Sequence, residues 1–423
     1  MAASKSGRFP ITQTVDASDP VRASAEHTVR EAYGRILALL VAGGSPIASA
    51  EDALSDALAQ ALDRWPENGV PDKPEAWLLT TARHCLIDQA RRTKTAAHHE
   101  PHLIQMIEEA EQRMQVQTEF PDERLKLLFV CAHPDIDPAL QTPLMLQTVM
   151  GLNAQRIASA YLVQPSTMSQ RLVRLKQSLK GSDIAFAIPE RDQWASRLNA
   201  VLQAIYGAYN AGWDDHENAS LADEARYLAE LVCSLLPYEA EAAGLLSLIL
   251  HCEARRPARR DKDERFIPLS EQDHALWDDG MIAMAERCLG LALRMGAIGR
   301  FQLEAALQSV HAARKVTGQT DWPAILAIYE RLLTINPTLG ARVGQAAAIG
   351  QGFAPKQGLA ALAELPHDSV EHYQPYWATR AHLESKSGNI AEARDAYDIA
   401  IGLTADRSVR EYLLMQLAKL GET

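Results

Sequence analysis

The chain has 423 residues, 47% of them hydrophobic and 23% charged, which is long enough for about two to four domains. These values exclude a mainly disordered, collagen-like or low-complexity chain. No apolar run reaches the roughly 18–20 residues of a membrane span and no signal peptide is recognisable, so we expect a cytoplasmic protein. The net charge of −12 argues against a protein coated in nucleic acid but allows local basic patches.

Cysteine, histidine and helix-forming residues narrow the class further. The five cysteines lack metal-ligand spacing, and His98, His99 and His102 form no recognisable ligand set with cysteine or acidic residues, so we predict no metal and no cofactor. Few thiols in a long chain fit a reducing compartment. Alanine and leucine recur at helical spacing, and no run of alternating β-branched residues stands out, so we predict an all-α fold.

The N-terminal segment predicts three helices. The first runs from about Ser24 to Val41 and ends at a loop with Gly43 and Gly44. The second spans about Ser49 to Trp65 and ends before Pro66. One of its faces is apolar, with Ala53, Leu54, Ala57, Leu58, Ala61, Leu62 and Trp65, and the opposite face carries Asp52, Asp56 and Asp63. The acidic face is either a solvated surface or a stripe that docks on a basic partner.

The third helix begins at Pro74, after a polar loop, and runs to about Arg92. Opposite its apolar side it carries an aromatic ring, a hydroxyl and charged groups, namely Trp77, Thr81, His84, Asp88 and Arg91. Such a face can stack bases and neutralise phosphates, although a tryptophan alone more often packs in a core. Residues 93–120 hold little apolar surface and predict a linker.

Residues 138–180 follow a helix-turn-helix pattern. A helix ends near Gly151, a short helix from Asn153 to Tyr161 points Ile157, Ala158 and Tyr161 inward, and a tight connection precedes a helix that starts at Pro165. Residues 152–180 carry five cations and no acid. The alternative is a generic helical hairpin with a basic face. Residues 1–180 hold 19 basic and 21 acidic side chains against 23 and 33 in the remainder, so most of the acidity is C-terminal.

The C-terminal half suggests a repeat of 34 residues, which places Ala313, Ala347 and Ala381 at equivalent positions, and likewise Tyr329, Ala363 and Tyr397. Gly358 and Pro366 interrupt the middle unit. The segments 255–261 and 270–279 predict buried arginine–carboxylate pairs and tryptophan packing, with a ligand or peptide pocket as the alternative. No set of nucleophile, base and orienting group appears, so we predict a protein that is not an enzyme.

Two segments, AEDALSDALAQALDRWP and PEAWLLTTARHCLIDQARR, resemble region 2 of the extracytoplasmic-function (ECF, group IV) sigma factors of the sigma-70 family. The resemblance implies that the first segment grips the clamp helices of the RNA polymerase β′ subunit through Glu51, Asp52 and Asp56. It implies that the loop from Glu67 to Lys73 captures a flipped base. Contacts to the minus-ten element would then come from Trp77, Thr81, Arg83, Asp88, Arg91 and Arg92.

The segment LVQPSTMSQRLVR resembles region 4 of the same family, which reads the minus-thirty-five element and binds the β flap of the polymerase. Its second helix contains the family's R-L-x-R pattern at Arg171 and Arg174. The resemblance implies that minus-thirty-five contacts come from Ser166, Thr167, Ser169, Gln170, Arg171 and Arg174. Both resemblances occur in the family's order and spacing.

The whole chain resembles the ECF sigma factors that carry a fused tetratricopeptide-like domain, through ARRPAR, EQDHALW and His133-Pro134. It departs from that group at Tyr206 to Trp213. The resemblance implies a region 2 bundle at residues 20–95, a linker at 96–120, a region 4 helix-turn-helix at 121–182 and a tetratricopeptide-like (TPR-like) α-solenoid at 185–423. The implied partners are core RNA polymerase, promoter DNA and, at the C-terminal domain, a small ligand or a DGPF-type (YCII-related) protein.

Two functional hypotheses follow. The first is an alternative sigma factor whose acidic C-terminal half covers the basic face at 152–180 until polymerase or a ligand relieves the inhibition. The second is a helix-turn-helix transcriptional regulator with tetratricopeptide-like repeats that does not act as a sigma factor. Only the first needs the acidic residues Asp52 and Asp56 and the helix that carries Trp77.

Overall fold

The computed structural model describes residues 33–41, 45–94, 122–180, 189–213, 219–404 and 406–421. Within these ranges the chain is all-α, as predicted, and its β pairing is limited to an isolated bridge between Arg260 and Phe266. Residues 33–41 are helical. The helices that follow are α1 Ile47–Asn68, α2 Pro74–Lys94, α3 Glu123–Cys131, α4 Pro138–Thr148, α5 Ala154–Ala160, α6 Pro165–Lys180, α7 Trp194–Trp213, α8 Ala219–Leu235, α9 Ala240–Ala254, α10 Asp279–Arg294, α11 Arg300–Thr317, α12 Trp322–Ile335, α13 Leu339–Gly352, α14 Pro355–Ala363, α15 His367–Val370, α16 Gln374–Ser387, α17 Ile390–Leu403 and α18 Arg407–Lys419.

The chain divides into two compact units. Unit 1 comprises Met1–Leu127 and Val173–Ile188, and unit 2 comprises Leu128–Leu172 and Pro189–Thr423. The division therefore falls inside α3 and inside α6. The expected start of the first helix at Ser24, the glycine loop at 43–44 and the linker at 96–120 lie outside the described residues, so these features stay predictions.

Helix α1 buries one face because its alanines and leucines recur three and four residues apart. Ala53, Leu54, Ala57 and Ala61 are buried, whereas Leu62 is 43% exposed, so the buried stripe is narrower than predicted. The predicted end before Pro66 is also wrong, because α1 continues through this proline to Asn68. Near the end of a helix a proline costs little more than its own missing hydrogen bond. Gly69 ends α1, with a φ of 82° and its N–H donating to the Trp65 carbonyl at 2.9 Å.

Helix α2 packs against α1 as an antiparallel partner. It starts at Pro74, as predicted, and extends two residues beyond the predicted end to Lys94. Leu78 and Ala82 are fully buried on the side toward the core. The rings of Trp65 and Trp77 meet edge to face with centroids 5.5 Å apart. This aromatic contact helps to close the hairpin where α1 ends and α2 begins.

Helices α5 and α6 lie where the helix-turn-helix is predicted and are joined by residues 161–164. The Asn153 side chain caps α5 by accepting from the Arg156 N–H at 2.9 Å. In the turn, Leu162 adopts a left-handed conformation with a φ of 52°. Ile157 and Ala158 are buried as predicted, but Tyr161 is 39% exposed. Because α5 ends at Ala160, helical spacing no longer sets the direction of the Tyr161 side chain.

The first C-terminal helix, α7, packs directly on α4 within unit 2. The ring of Trp194 contacts the ring of Phe129 at 5.9 Å between centroids. Arg197 donates from Nη1 to the Phe129 carbonyl at 3.0 Å. Gly207 of α7 lies against Leu146 of α4, because a Cβ built on Gly207 would be 3.3 Å from the methyl carbons of Leu146. The core of residues 128–172 is therefore completed by residues from beyond the predicted boundary at 182–185.

The remaining helices pair in antiparallel hairpins, α11 with α12, α13 with α14 and α16 with α17. Helices α11 and α16 both end at a left-handed glycine, and these residues, Gly318 and Gly388, lie 70 residues apart. Two units of 34 residues would place them 68 apart. An offset of 70 residues makes His311 the structural equivalent of Ala381. Ala313, which the 34-residue register assigns to that position, is exposed. The proposed 34-residue equivalence fails for the first of the three units.

Gly358, which interrupts the repeat pattern of the middle unit, lies within α14. A Cβ built on Gly358 would lie 2.7 Å from the Ala346 carbonyl oxygen and 2.8 Å from the Gly350 Cα. Both of these atoms belong to the backbone of α13. Glycine is therefore required at this position because it lets the two helices approach closely.

Candidate polymerase and DNA interfaces

The acidic face of α1 carries the residues predicted to bind core polymerase. Asp52, Asp56 and Asp63 are exposed, whereas Glu51 is half-buried. The Glu51 carboxylate accepts from Lys176 Nζ of α6 at 2.7 Å, and the two side chains are 14% and 18% exposed. Both residues belong to unit 1. The structure thus presents Asp52 and Asp56 at the surface and holds Glu51 in an internal ion pair.

The charge of this face also affects Tyr33, which lies in the helical segment 33–41. Burial, followed by the negative charges of Glu51 and Asp52, raises the pKa of the Tyr33 hydroxyl above its usual value. The phenol therefore stays neutral at all physiological pH values. Beside the two carboxylates it is a neutral packing group rather than a source of charge.

The DNA-facing residues predicted on α2 differ in exposure. Asp88 is exposed, whereas Trp77, Thr81 and Arg83 are half-buried. Trp77 packs against Trp65 and leaves only part of its ring at the surface. Trp77 therefore packs against a neighbouring helix, as a lone tryptophan most often does. The exposed part of its ring remains available for stacking on a base. The side chains of Arg91 and Arg92 lie outside the described residues.

The loop expected to capture a base is shorter than the sequence suggested. Because α1 extends to Asn68, the connection to α2 consists of residues 69–73. Asp72 and Lys73 are exposed there, and Val70 and Pro71 are half-buried. This connection lies directly beside the Trp65–Trp77 contact, because Trp65 belongs to the last turn of α1 and Trp77 to the first turn of α2.

Helix α6 presents a polar, basic side to solvent. Met168 and Leu172 are fully buried. Thr167 is half-buried, and the other residues predicted to contact the minus-thirty-five element are exposed, namely Ser166, Ser169, Gln170, Arg171 and Arg174. Arginine can bond a guanine edge through two N–H groups or reach phosphates, and the shorter polar side chains can reach bases or backbone. The exposed side of α6 has the chemistry of a DNA-reading helix, and its masking by the acidic C-terminal half stays a prediction.

The C-terminal segments flagged by the sequence form a packed network in unit 2. The Arg259 guanidinium lies over the Trp213 ring, 4.7 Å from its centroid. Arg256 pairs with the buried Glu253 at 3.2 Å, and the Glu253 carboxylate also accepts from the Tyr209 hydroxyl at 2.8 Å. These contacts are the arginine–carboxylate pairs and tryptophan packing that the sequence predicts for this part of the chain.

Sequence reasoning missed two histidines, the buried His251 and the half-buried His311. Burial, followed by the positive charge of Arg255, lowers the pKa of each to about 4. Neither residue stands in a recognisable motif, and a lone histidine on a helix gives no signal of its partners. Only their neighbours in space identify them as members of a polar cluster.

The described part of the chain holds neither a metal site nor a membrane-spanning helix. No group of three or more histidine, cysteine or acidic side chains there could hold a metal ion. None of its helices is long and apolar enough to cross a membrane. The five cysteines, all free thiols, are Cys85, Cys131, Cys233, Cys252 and Cys288.

Comparison with known proteins yields two family matches and one full-length relative. Residues 28–95 match the family described as Sigma-70 region 2, and residues 197–293 match a family of unknown function, DUF6596. The chain is 33% identical over 380 residues to "Uncharacterized protein R00370" of Rhizobium meliloti (strain 1021), which covers 88% of this chain and 90% of the relative. No solved structure matches. The Sigma-70 region 2 match includes all of α1 and α2, and with them every residue predicted to bind core polymerase or the minus-ten element.

Proposed function

We propose that this chain is an alternative sigma factor of the extracytoplasmic-function group of the sigma-70 family, because residues 28–95 match Sigma-70 region 2. In this proposal it directs core RNA polymerase to specific promoters in the cytoplasm, and its fused helical domain controls that activity. The observation that carries the proposal is the Sigma-70 region 2 match to residues 28–95, within which Asp52 and Asp56 are exposed. The protein itself needs no catalytic group or cofactor, since the polymerase performs the chemistry.

The proposed division of labour follows the described surfaces. Asp52 and Asp56 contact the β′ clamp helices, and Glu51 joins them once Lys176 is displaced. Trp77, Thr81, Arg83 and Asp88, with Arg91 and Arg92, act on the minus-ten element, where capture and stacking of an unpaired base contributes about 1–3 kcal/mol. Helix α6 reads the minus-thirty-five element through Ser166, Thr167, Ser169, Gln170, Arg171 and Arg174, and region 4 contacts the β flap.

Control by the C-terminal domain is supported by the packing of α4 on α7. We propose that residues 185–423 form a TPR-like scaffold, on the evidence of the antiparallel hairpins from α11 to α17. Because Trp194 and Arg197 contact Phe129 of α3, and α7 packs on α4, a change in this scaffold alters the support under α3 and α4. Electrostatic masking of the basic face at 152–180 by the acidic C-terminal half remains part of the proposal. A small ligand or a DGPF-type (YCII-related) protein bound to the scaffold is the proposed signal.

Run-off transcription with purified core polymerase and genomic promoter fragments tests this function directly. We expect full-length protein to support initiation from a subset of promoters that core polymerase alone does not use. Absence of any initiation that depends on both core and this protein would reject the sigma assignment. Binding of the same fragments without core would then favour a helix-turn-helix regulator that is not a sigma factor.

Charge reversal on α1 identifies the polymerase contact. We expect Asp52→Lys/Asp56→Lys to weaken core binding at least ~100-fold and to abolish run-off product, because two exposed acidic contacts become repulsive. The matched control is Asp395→Lys/Asp398→Lys, which makes the same charge change at exposed positions of α17. Affinity for core is measured by fluorescence titration. Equal losses in both variants would show a nonspecific charge effect and contradict the assigned contact.

A further inference from the structure

A small cavity in unit 2 lies where α9, α10 and α11 meet, and no part of the proposed function uses it. Its walls are polar as well as apolar and consist of His251, Ala254, Arg255, Leu269, Trp277, Ile282, Gln308, His311 and Ala312. We propose that this cavity is a binding site for an oxyanion, the phosphate or carboxylate group of a small ligand.

The first support is a set of buried nitrogen atoms that lack hydrogen-bond partners. They include Nδ1 and Nε2 of His251, Nε of Arg255, Nε1 of Trp277 and Nδ1 of His311, all from residues that line the cavity. Buried polar groups in native proteins are nearly always paired. Arginine and the indole N–H can only donate, so the group that completes this site must be an acceptor.

The second support is the uncompensated positive charge. Arg255 and Arg314 are close enough that each lowers the pKa of His311, and Arg255 also lowers that of Arg314. Within the described residues neither arginine has a carboxylate oxygen within 4 Å. Glu286 lies 3.4 Å from His251 Nε2 without making a hydrogen bond to it, and its carboxylate already accepts from Ser309. Two cations that share a buried region without a counter-ion favour an anion.

The third support is that the donors are held in place before any ligand arrives. The Arg314 guanidinium lies 5.2 Å from the centre of the Trp277 ring and donates to the Leu269 carbonyl. The His274 ring also packs against the Trp277 indole, and the two ring centroids are 4.6 Å apart. Trp277 is only 4% exposed, so its N–H direction is set by packing. Fixed donors bind an anion without the entropy loss of ordering flexible side chains.

The size of the cavity selects the kind of anion. Its volume is about 10 Å³, close to the minimum that holds one water molecule. One oxygen of a phosphate or carboxylate has this size, and the remainder of the group would extend toward the opening. Chloride is larger than a water oxygen and lacks the directional acceptor pairs that guanidinium groups recognise. The structure therefore favours an oxyanion over a halide.

Isothermal titration of the full chain tests the site, with inorganic phosphate, methyl phosphate, acetate and chloride as probes at constant ionic strength. We expect phosphate or acetate to bind with one site per chain and chloride to bind at least ~10-fold more weakly. Arg255→Gln and Trp277→Phe should each weaken oxyanion binding about 10-fold or more, since each removes one donor from a charge-assisted contact. Trp277→Phe keeps an aromatic ring in the packing and serves if Arg255→Gln does not fold.

The control is Arg331→Gln, which removes an exposed cation from α12 in the same unit and should leave the affinity unchanged. Binding of methyl phosphate as well as phosphate indicates a site for a phosphorylated small molecule, whereas binding of phosphate alone indicates the free ion. No heat with any oxyanion, equal binding of chloride, or full affinity in both site variants would overturn the proposal.

The link from this site to transcription rests on the proposed sigma function, but the titration does not. Run-off transcription with wild-type protein and Trp277→Phe, each with and without phosphate, measures the coupling. A response of only the wild type supports a regulatory site. Oxyanion binding without any polymerase-dependent initiation would reject the sigma function and leave the binding site intact.

Discussion

His251 is 3% exposed, and its imidazole lies beside Arg255 with the Glu286 carboxylate 3.4 Å away. Burial, followed by the charge of Arg255, lowers its pKa from 6.5 to about 4. Above pH 6.5 the ring is neutral in both the folded and the unfolded chain. Between pH 6.5 and 4 the unfolded chain binds a proton that the folded chain does not, so the free energy of unfolding falls as the pH is lowered through this window.

We predict that changing the pH from 7 to 4.5 costs the wild type ~2–3 kcal/mol more in free energy of unfolding than it costs His251→Gln. Urea unfolding of both proteins at the two pH values measures this difference. Every other titrating group, including His311, is common to the two chains and cancels. Equal pH dependence in wild type and variant would show that His251 titrates normally in the folded protein.

Among the secondary-structure elements, α13 and α14 show how close packing depends on one position. Gly358 of α14 faces the backbone of α13, where an added Cβ would meet the Ala346 carbonyl oxygen at 2.7 Å. Because backbone atoms cannot move aside as a flexible side chain can, an extra methyl group forces the helices apart. Gly402 of α17 is also helical, but a Cβ there would meet no atom within 4 Å.

We predict that Gly358→Ala lowers the free energy of unfolding by about 1–3 kcal/mol through overpacking. Gly402→Ala should raise it by about 0.5–1 kcal/mol, because alanine has the higher helix propensity and the site has room. Chemical denaturation of the two full-length variants gives both values. A stabilising Gly358→Ala would mean that α13 and α14 are farther apart than the structure shows.

At the scale of the whole molecule, residues 128–172 and the C-terminal helices of unit 2 share a core. Phe129 is fully buried, and its covering ring and hydrogen-bond donor come from Trp194 and Arg197 of α7. Removal of residues 185–423 would therefore strip α3 and α4 of their packing partner. Such a truncation cannot separate loss of inhibition from loss of structure, and a point substitution in the full chain is the sharper test.

We predict that Trp194→Ala destabilises unit 2 by about 3–5 kcal/mol. It should accelerate amide hydrogen exchange in α3 and α4 as well as in α7. Trp322→Ala is the matched control, since Trp322 packs in the cluster around α12 and α13, and its exchange effects should stay there. Unchanged exchange in α3 and α4 of Trp194→Ala would show that the segment before residue 182 folds independently, as the division at residues 182–185 predicts.

The amino-acid sequence alone was sufficient for features that depend on local spacing. The helical period of alanine and leucine determined the all-α fold, and Pro74, Asn153 and Pro165 marked the starts of α2, α5 and α6 within one residue. The same period separated Asp52 and Asp56 from the apolar side of α1. The local signal failed at Pro66, which lies inside α1 instead of marking its end.

Only the tertiary structure decided which distant residues meet. Glu51 and Lys176 are 125 residues apart in the chain, and nothing in either segment indicates the other. The same holds for Phe129 with Trp194, and for His251 with Trp277 and His311 around the cavity. Helical periodicity specifies which face of a helix is buried, but not which helix covers it. That choice depends on how all the faces fit together at close-packed density, and it determines the core that residues 128–172 share with α7 and the proposed oxyanion site.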